Sequence, residues 1–171
     1  MKIMLKTFLC LCLFSLFSVI AEAKEWRGII PMQSTRADVT RILGKSPDAN
    51  HIRANYYLDE GHIYIVFAND DAYYDCVKKL PVDTVLLIQF TPKRGLSLTD
   101  LKLDLNKFKK FDPSEPKDIG FEGYLNEEEG LIIVTYKGEV NQIDYIATPK
   151  DRKLCPEYYN NPEKFVRIVV G

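Results

Sequence analysis

This chain is poor in the groups that most enzymes depend on. Its 171 residues include two histidines, His51 and His62, and one tryptophan. There is no Gly-x-Ser-x-Gly elbow for a strained nucleophile. There is no glycine loop with phosphate-cradling spacing. Only two cysteines lie beyond the N-terminal run, and no histidines sit near them to complete a tetrahedral zinc site. No metal or cofactor is expected from such an inventory. The acidic run Asn69 to Asp75 (NDDAYYD) lacks the alternating oxygen ligands, central glycine and following glutamate of a calcium loop, and reads as an ordinary acidic loop. Strongly basic stretches are absent too. The nearest is Lys107, Lys109 and Lys110, which reads as a solvated face, so nucleic acid is not an expected partner. After residue 23 no apolar run is long enough to span a membrane.

What is present begins with a leader. Lys2 and Lys6 give a positive start, Phe8 to Ile20 is apolar, and Ala21-Glu22-Ala23 offers small residues where a signal peptidase reads them. We read 1–23 as a secretory signal peptide cut after Ala23, which places the mature protein in the periplasm or outside the cell. Cys10 and Cys12 fall inside the apolar run and follow Leu9 and Leu11, so no lipid anchor is expected. The whole chain has 23 basic and 24 acidic residues. Two basic residues and one acidic lie in the leader, leaving 21 and 23. The remaining 24–171 is long enough for one domain with a core. In an exported protein its lone cysteine pair, Cys76 and Cys155, predicts one disulfide.

The chain also contains an internal repeat. "YYLDEGHIYIVF" (Tyr56 to Phe67) parallels "GYLNEEEGLIIVTY" (Gly123 to Tyr136). "VLLIQFTPK" (Val85 to Lys93) parallels "QIDYIATPK" (Gln142 to Lys150), each read as a strand closed by Thr-Pro-Lys. Repeat one is 24–93, repeat two 96–150, and 151–171 is a C-terminal segment. Each copy is expected to hold a helix and three antiparallel strands. The helix of the second copy would come from Leu98, Leu101, Leu105 and Phe108, although alternation at Leu101, Leu103 and Leu105 also allows a short strand. The expected fold class is α+β: one antiparallel sheet from both repeats, with short helices on one face. Period-two alternation puts Ile63, Ile65 and Phe67 on the core face, matched by Ile132, Val134 and Tyr136. Leu86, Ile88 and Phe90 are matched by Ile143, Tyr145 and Ala147. "YKGEV" is a tight turn with Gly138 at a position of positive φ. Its counterpart, Ala68 to Thr84, is 12 residues longer, and loops of that length are often functional. "KFVRIVVG" (Lys164 to Gly171) reads as an extra strand over an edge or the second face.

The run "STRADVTRILGKSP" carries helix punctuation. Ser34 or Thr35 can cap the helix, Thr35 with Asp38 resembles a capping box, Val39, Ile42 and Leu43 make a stripe, Gly44 a left-handed end and Pro47 a stop. On Asp38, Val39, Leu43, Gly44 and Pro47 it resembles the SmpA/OmlA family of the bacterial β-barrel assembly machinery. That family packs helices on a three-stranded antiparallel sheet. The repeat is similar to the tandem plan of the β-lactamase inhibitor protein, whose concave sheet binds another protein. Together with Trp26-Arg27-Gly28-Ile29, the run also looks like a set of exported bacterial proteins of unknown role. SmpA/OmlA members carry a lipidated cysteine that this chain lacks, so the resemblance implies architecture and not role.

Ten tyrosines are many for this length. Tyr64, Tyr73 and Tyr74 fall outside the expected core face, and tyrosine suits recognition surfaces because it joins apolar area to a hydroxyl. With His62 they make the candidate binding surface; local packing under the long loop is the structural alternative. The expected function is a non-catalytic binding or inhibitor-like module for a protein or cell-envelope partner. One alternative is a hydrolase-like enzyme using His62 with Asp59 or Glu60. Another is a structural envelope component.

Overall fold

The computed structural model describes residues 24–71, 75–113 and 120–159. The leader, Tyr73, Tyr74 and the C-terminal "KFVRIVVG" lie outside the described residues. Seven strands form one antiparallel sheet: β1 (Arg53–Tyr57), β2 (Gly61–Phe67), β3 (Val85–Pro92), β4 (Lys109–Phe111), β5 (Phe121–Asn126), β6 (Leu131–Tyr136) and β7 (Glu139–Tyr145). Their order is β1-β2-β3-β7-β6-β5-β4. The α+β architecture is thus two meanders joined edge to edge along β3 and β7.

The opening helix α1 (Arg36–Leu43) starts as its sequence requires. The Asp38 N–H donates to the Thr35 hydroxyl at 3.3 Å, and the Thr35 N–H donates to the Asp38 carboxylate at 3.0 Å. That N–H, then the Arg41 guanidinium and the Thr35 hydroxyl, hold the Asp38 pKa down at about 2. Gly44 ends the helix at φ 82° but ψ −172°, so the chain leaves extended instead of winding into a left-handed cap. Val39 is fully buried, with Ile42 and Leu43 beside it.

The helix expected in the second copy does not form over residues 98–107. Residues 98–107 fold as two short 3₁₀ turns, Leu98–Leu101 and Leu105–Lys107, before β4. The run breaks at Lys102, which sits at φ 52°, and a new turn is opened by the Asp104 side chain, which accepts from the Asn106 N–H. Of the expected stripe, Leu98, Leu101 and Phe108 pack with Leu103 on Leu131, Ile133, Val140 and Ile143, while Leu105 is 37% exposed. The 3₁₀ turns and α1 share one side of the sheet, the helix face.

The two meanders pair alike, but their register differs from the sequence alignment. In the first meander Val66 pairs with Leu87 and Phe67 with Val85, leaving Leu86 as a bulge residue. In the second, Val134 pairs with Gln142 and Thr135 with Val140, leaving Asn141. Matching the bulges makes Ile63–Phe90 equivalent to Leu131–Tyr145, and Ile65–Ile88 equivalent to Ile133–Ile143. Leu131 and Ile133, not Ile132 and Val134, therefore share the helix face with Ile63 and Ile65, and Tyr136 is 39% exposed. A one-residue slip inverts a strand's faces. Here β6 is buried on both sides and so has no alternation to read. The shared Thr-Pro-Lys misled for a different reason. Pro92 ends β3, whereas Thr148 precedes helix α3 (Pro149–Arg152), whose first residue is the proline.

The matched equivalence places an approximate two-fold axis in the sheet. At the seam Ile88 pairs with Tyr145, Gln89 with Asp144 and Phe90 with Ile143. The outer pairs exchange under the equivalence, and Gln89–Asp144 maps onto itself.

The opposite side of the sheet, the insert face, is covered differently. The long β2–β3 connection carries helix α2 (Asp75–Lys78), and the chain beyond α3 carries α4 (Pro156–Tyr159). Cys76 and Cys155 are bonded across a separation of 79 residues. Around them Val77 and Tyr159 pack with Leu87, Leu125, Ile132 and Val134. The Tyr159 hydroxyl donates to the Leu86 carbonyl at 2.9 Å. Helical pieces therefore lie on both faces, where the sequence led us to expect one. No helix among the described residues is long and apolar enough to cross a membrane.

Candidate functional site

One strand of the first meander, β2, carries the two members of the predicted surface that are described, His62 and Tyr64. His62 and Tyr64 alternate along β2 and project to the insert face, both half-buried. The His62 Nε2 lies 3.1 Å from the Asn55 Oδ1, and its ring stacks on Tyr57 at 4.8 Å. Tyr57 is 70% exposed, the most open large hydrophobic side chain among the described residues. The Glu60 carboxylate bonds to Arg27, away from His62, so the histidine is oriented by an amide and an aromatic ring.

From Tyr64 a polar row runs inward across the strands. Asn55 pairs with Tyr64, Tyr64 with Gln89, and Gln89 with Asp144. Gln89 and Asp144 are buried. Both Asp144 oxygens accept from the Gln142 amide, at 2.9 and 2.7 Å. Burial pushes the Asp144 pKa up to about 7, against the smaller opposing effect of Gln142.

The end of the sheet formed by the β1–β2 turn and the exit of β3 is hollow on both sides. On the insert face a cavity of about 300 Å³ is lined by Tyr57, His62, Thr91 and Lys93, among others. On the helix face a larger groove of about 720 Å³ runs between Trp26, Phe90 and Leu96. Phe90 sits at the seam, packing against the apolar clusters of both repeats.

A two-residue turn builds one wall of that groove. Trp26 and Ile29 exchange backbone hydrogen bonds at 3.0 and 2.9 Å, with Arg27 at φ 53° and Gly28 at φ 79° between them. The turn holds the Arg27 guanidinium 5.1 Å over the Trp26 ring, within reach of Glu60. Trp26 in turn lies 6.3 Å from Phe90. The opposite wall is tied down where the Lys93 N–H donates to the Glu60 carbonyl at 2.9 Å. Gly61 lets the two strands approach this closely: a Cβ there would lie 2.3 Å from the Thr91 carbonyl.

Sequence reading singled out His62 and Tyr64 and did not single out Tyr57 or the groove. Its signals were the only tryptophan and an Arg-Gly pair in a two-residue turn, both inside a stretch that reads as the approach to a helix. Among the described residues no cluster of three potential metal ligands is present.

No family model matches the chain, and no curated protein matches it. Its fold is similar to the crystal structure of a DUF4309 family protein, YjgB, from Bacillus subtilis. The TM-score is 0.50 at 13% sequence identity, covering 75% of this chain and 88% of that one. At that identity the likeness concerns the fold alone.

Proposed function

We propose that this is an exported, non-catalytic binding module, inhibitor-like in character, for a protein partner in or around the cell envelope. The observation that carries the reading is the hollow sheet end. There an exposed Tyr57 stacked on His62 stands beside concavities on both faces. Aromatic side chains on a rigid scaffold suit recognition, because they offer contact area with little entropy to lose. Export rests on the leader at 1–23, and the Cys76–Cys155 bond is consistent with an oxidising compartment. The tandem plan's resemblance to the β-lactamase inhibitor protein points the same way.

The test is capture of envelope and culture-fluid proteins on immobilised mature protein, comparing wild type with a folded Tyr57→Ala/His62→Ala variant. A partner retained by wild type and lost by the variant supports the reading. Equal capture by both, or no partner at all, removes it and favours a structural component. Hydrolysis of ester or phosphoester substrates that His62→Ala abolishes would make the protein an enzyme instead.

A further inference from the structure

Resting on that binding reading, we infer that the helix-face groove takes a short extended peptide segment of the partner, with an apolar side chain flanked by one acidic and one basic residue. The volume, about 720 Å³, lies within the range of specific ligand sites. Its apolar parts are Trp26, Phe90, Pro92 and Leu96, which accept a hydrophobic side chain. Four charged groups surround them.

Two of the four satisfy each other. Arg27 bonds to Glu60 and lies over Trp26, and its turn fixes it there. The other two, Arg94 and Asp59, are exposed and make no ion pair or hydrogen bond among the described residues. The groove as a whole carries two positive and two negative groups. A polyanion would meet Asp59 and Glu60, and a polycation would meet Arg27 and Arg94. A dipolar ligand with an apolar centre complements all three features: carboxylate to Arg94, ammonium or guanidinium to Asp59, and hydrocarbon to Phe90. Peptide side chains supply that combination, while a neutral glycan leaves both charges unpaired.

The protein carries its own reporter. Trp26 is the only tryptophan and lines the groove, so its emission follows occupancy without a label. The probes are end-blocked tripeptides titrated into mature protein: Glu-Phe-Lys, Gln-Phe-Gln, Glu-Phe-Glu and Lys-Phe-Lys, with a chitin oligosaccharide as the glycan arm. The dipolar peptide should bind about tenfold tighter than the others, equivalent to about 1.4 kcal/mol. Arg94→Glu should transfer that preference to Lys-Phe-Lys, and its unchanged circular dichroism would show that it folds.

Emission indifferent to every peptide, equal response to all four, or an unchanged preference in Arg94→Glu overturns the inference. Saturable binding of the oligosaccharide alone assigns the groove to a glycan and also overturns it. Failure here is separable from failure of the binding reading. If Arg94→Glu still captures a partner that Tyr57→Ala/His62→Ala loses, the module stands and only the groove assignment falls.

Discussion

The two repeats share strand pairing down to the position of the bulge, yet they differ sharply in what joins the second strand to the third. In the second repeat, five positions separate Thr135 from Val140, with Lys137 and Gly138 both at positive φ. In the first, 18 positions separate Phe67 from Val85, and the excess carries α2 and Cys76 onto the insert face. The pairing is constrained because a slip of one residue would expose a buried face. The connection lies outside the ladder and is free to grow, since added loop length costs little entropy. The difference shows how one hairpin geometry gives one half a plain turn and the other half a cover for the sheet.

The largest expected effect comes from cutting that cover loose. The chain-entropy model gives a 79-residue loop about 4.5 kcal/mol of stabilisation, within a realistic range of roughly 0–5. Denaturant titration with and without reductant should show a clear fall in midpoint on reduction. Hydrogen exchange should quicken in α2 and α4 before the strands they cover, β3, β5 and β6. Uniform loosening of both meanders would mean that the insert is not a separate layer.

Next are two glycines at the second strand of each repeat, Gly61 as the first residue of β2 and Gly130 just before β6. A Cβ on Gly130 would lie 2.2 Å from the Ile146 carbonyl at φ 63°, and one on Gly61 would lie 2.3 Å from the Thr91 carbonyl at ordinary φ. Overpacking costs about 1–3 kcal/mol and a left-handed residue about 1–2 more. Gly130→Ala should therefore destabilise by about 3–4 kcal/mol and Gly61→Ala by about 2–3. Equal losses in thermal unfolding would show that the left-handed conformation adds nothing.

The seam provides a pH test. Burial raises Asp144 from 3.8 to about 7, so the folded state holds its proton where the unfolded state has released it. This contribution is complete below about pH 4, is lost as pH rises to about 7, and is flat above that, with a total of a few kcal/mol at about 1.4 per unit. Asp144→Asn should abolish the slope between pH 4 and 7. Asp38 acts in the opposite sense and in a lower window, because its depressed value stabilises above about pH 4 and is lost toward 2. A slope that survives in Asp144→Asn would place the titration elsewhere.

The smallest effects belong to the caps. Thr35→Ala should cost about 1 kcal/mol, because the box opens a two-turn helix packed through Val39. Ser97→Ala should cost less, since its box opens a single 3₁₀ turn with no buried residue. Equal values in urea titrations would contradict that ranking.

Much of this architecture is legible in the amino acids, where local chemistry decides it. The capping box at Thr35, the turn at Gly138 and the pairing of Cys76 with Cys155 each rest on residues that have few other uses. The faces of β6 were not legible, because "LIIVTY" shows no apolar–polar alternation and pattern cannot orient a strand buried on both sides. Nor was the end of repeat two, where one tripeptide serves as strand stop in one copy and helix start in the other. The groove was least legible of all. It joins Trp26, Asp59, Phe90 and Arg94, which only the sheet order brings together, and its Trp-Arg-Gly-Ile turn precedes a helix signal that draws the eye.

The seam between β3 and β7 has the arrangement that two copies of a single unit would adopt as a homodimer. Within one chain the halves stay together at any dilution, since their effective concentration is set by the linker and not by the solution. Fusion also lifts a restriction. In a symmetric pair, the residue on the axis must face its own twin, so an acid there would meet an acid. Here Gln89 faces Asp144. The tandem chain has placed different groups on its own axis, a divergence open to a duplicated gene and closed to a dimer of identical halves.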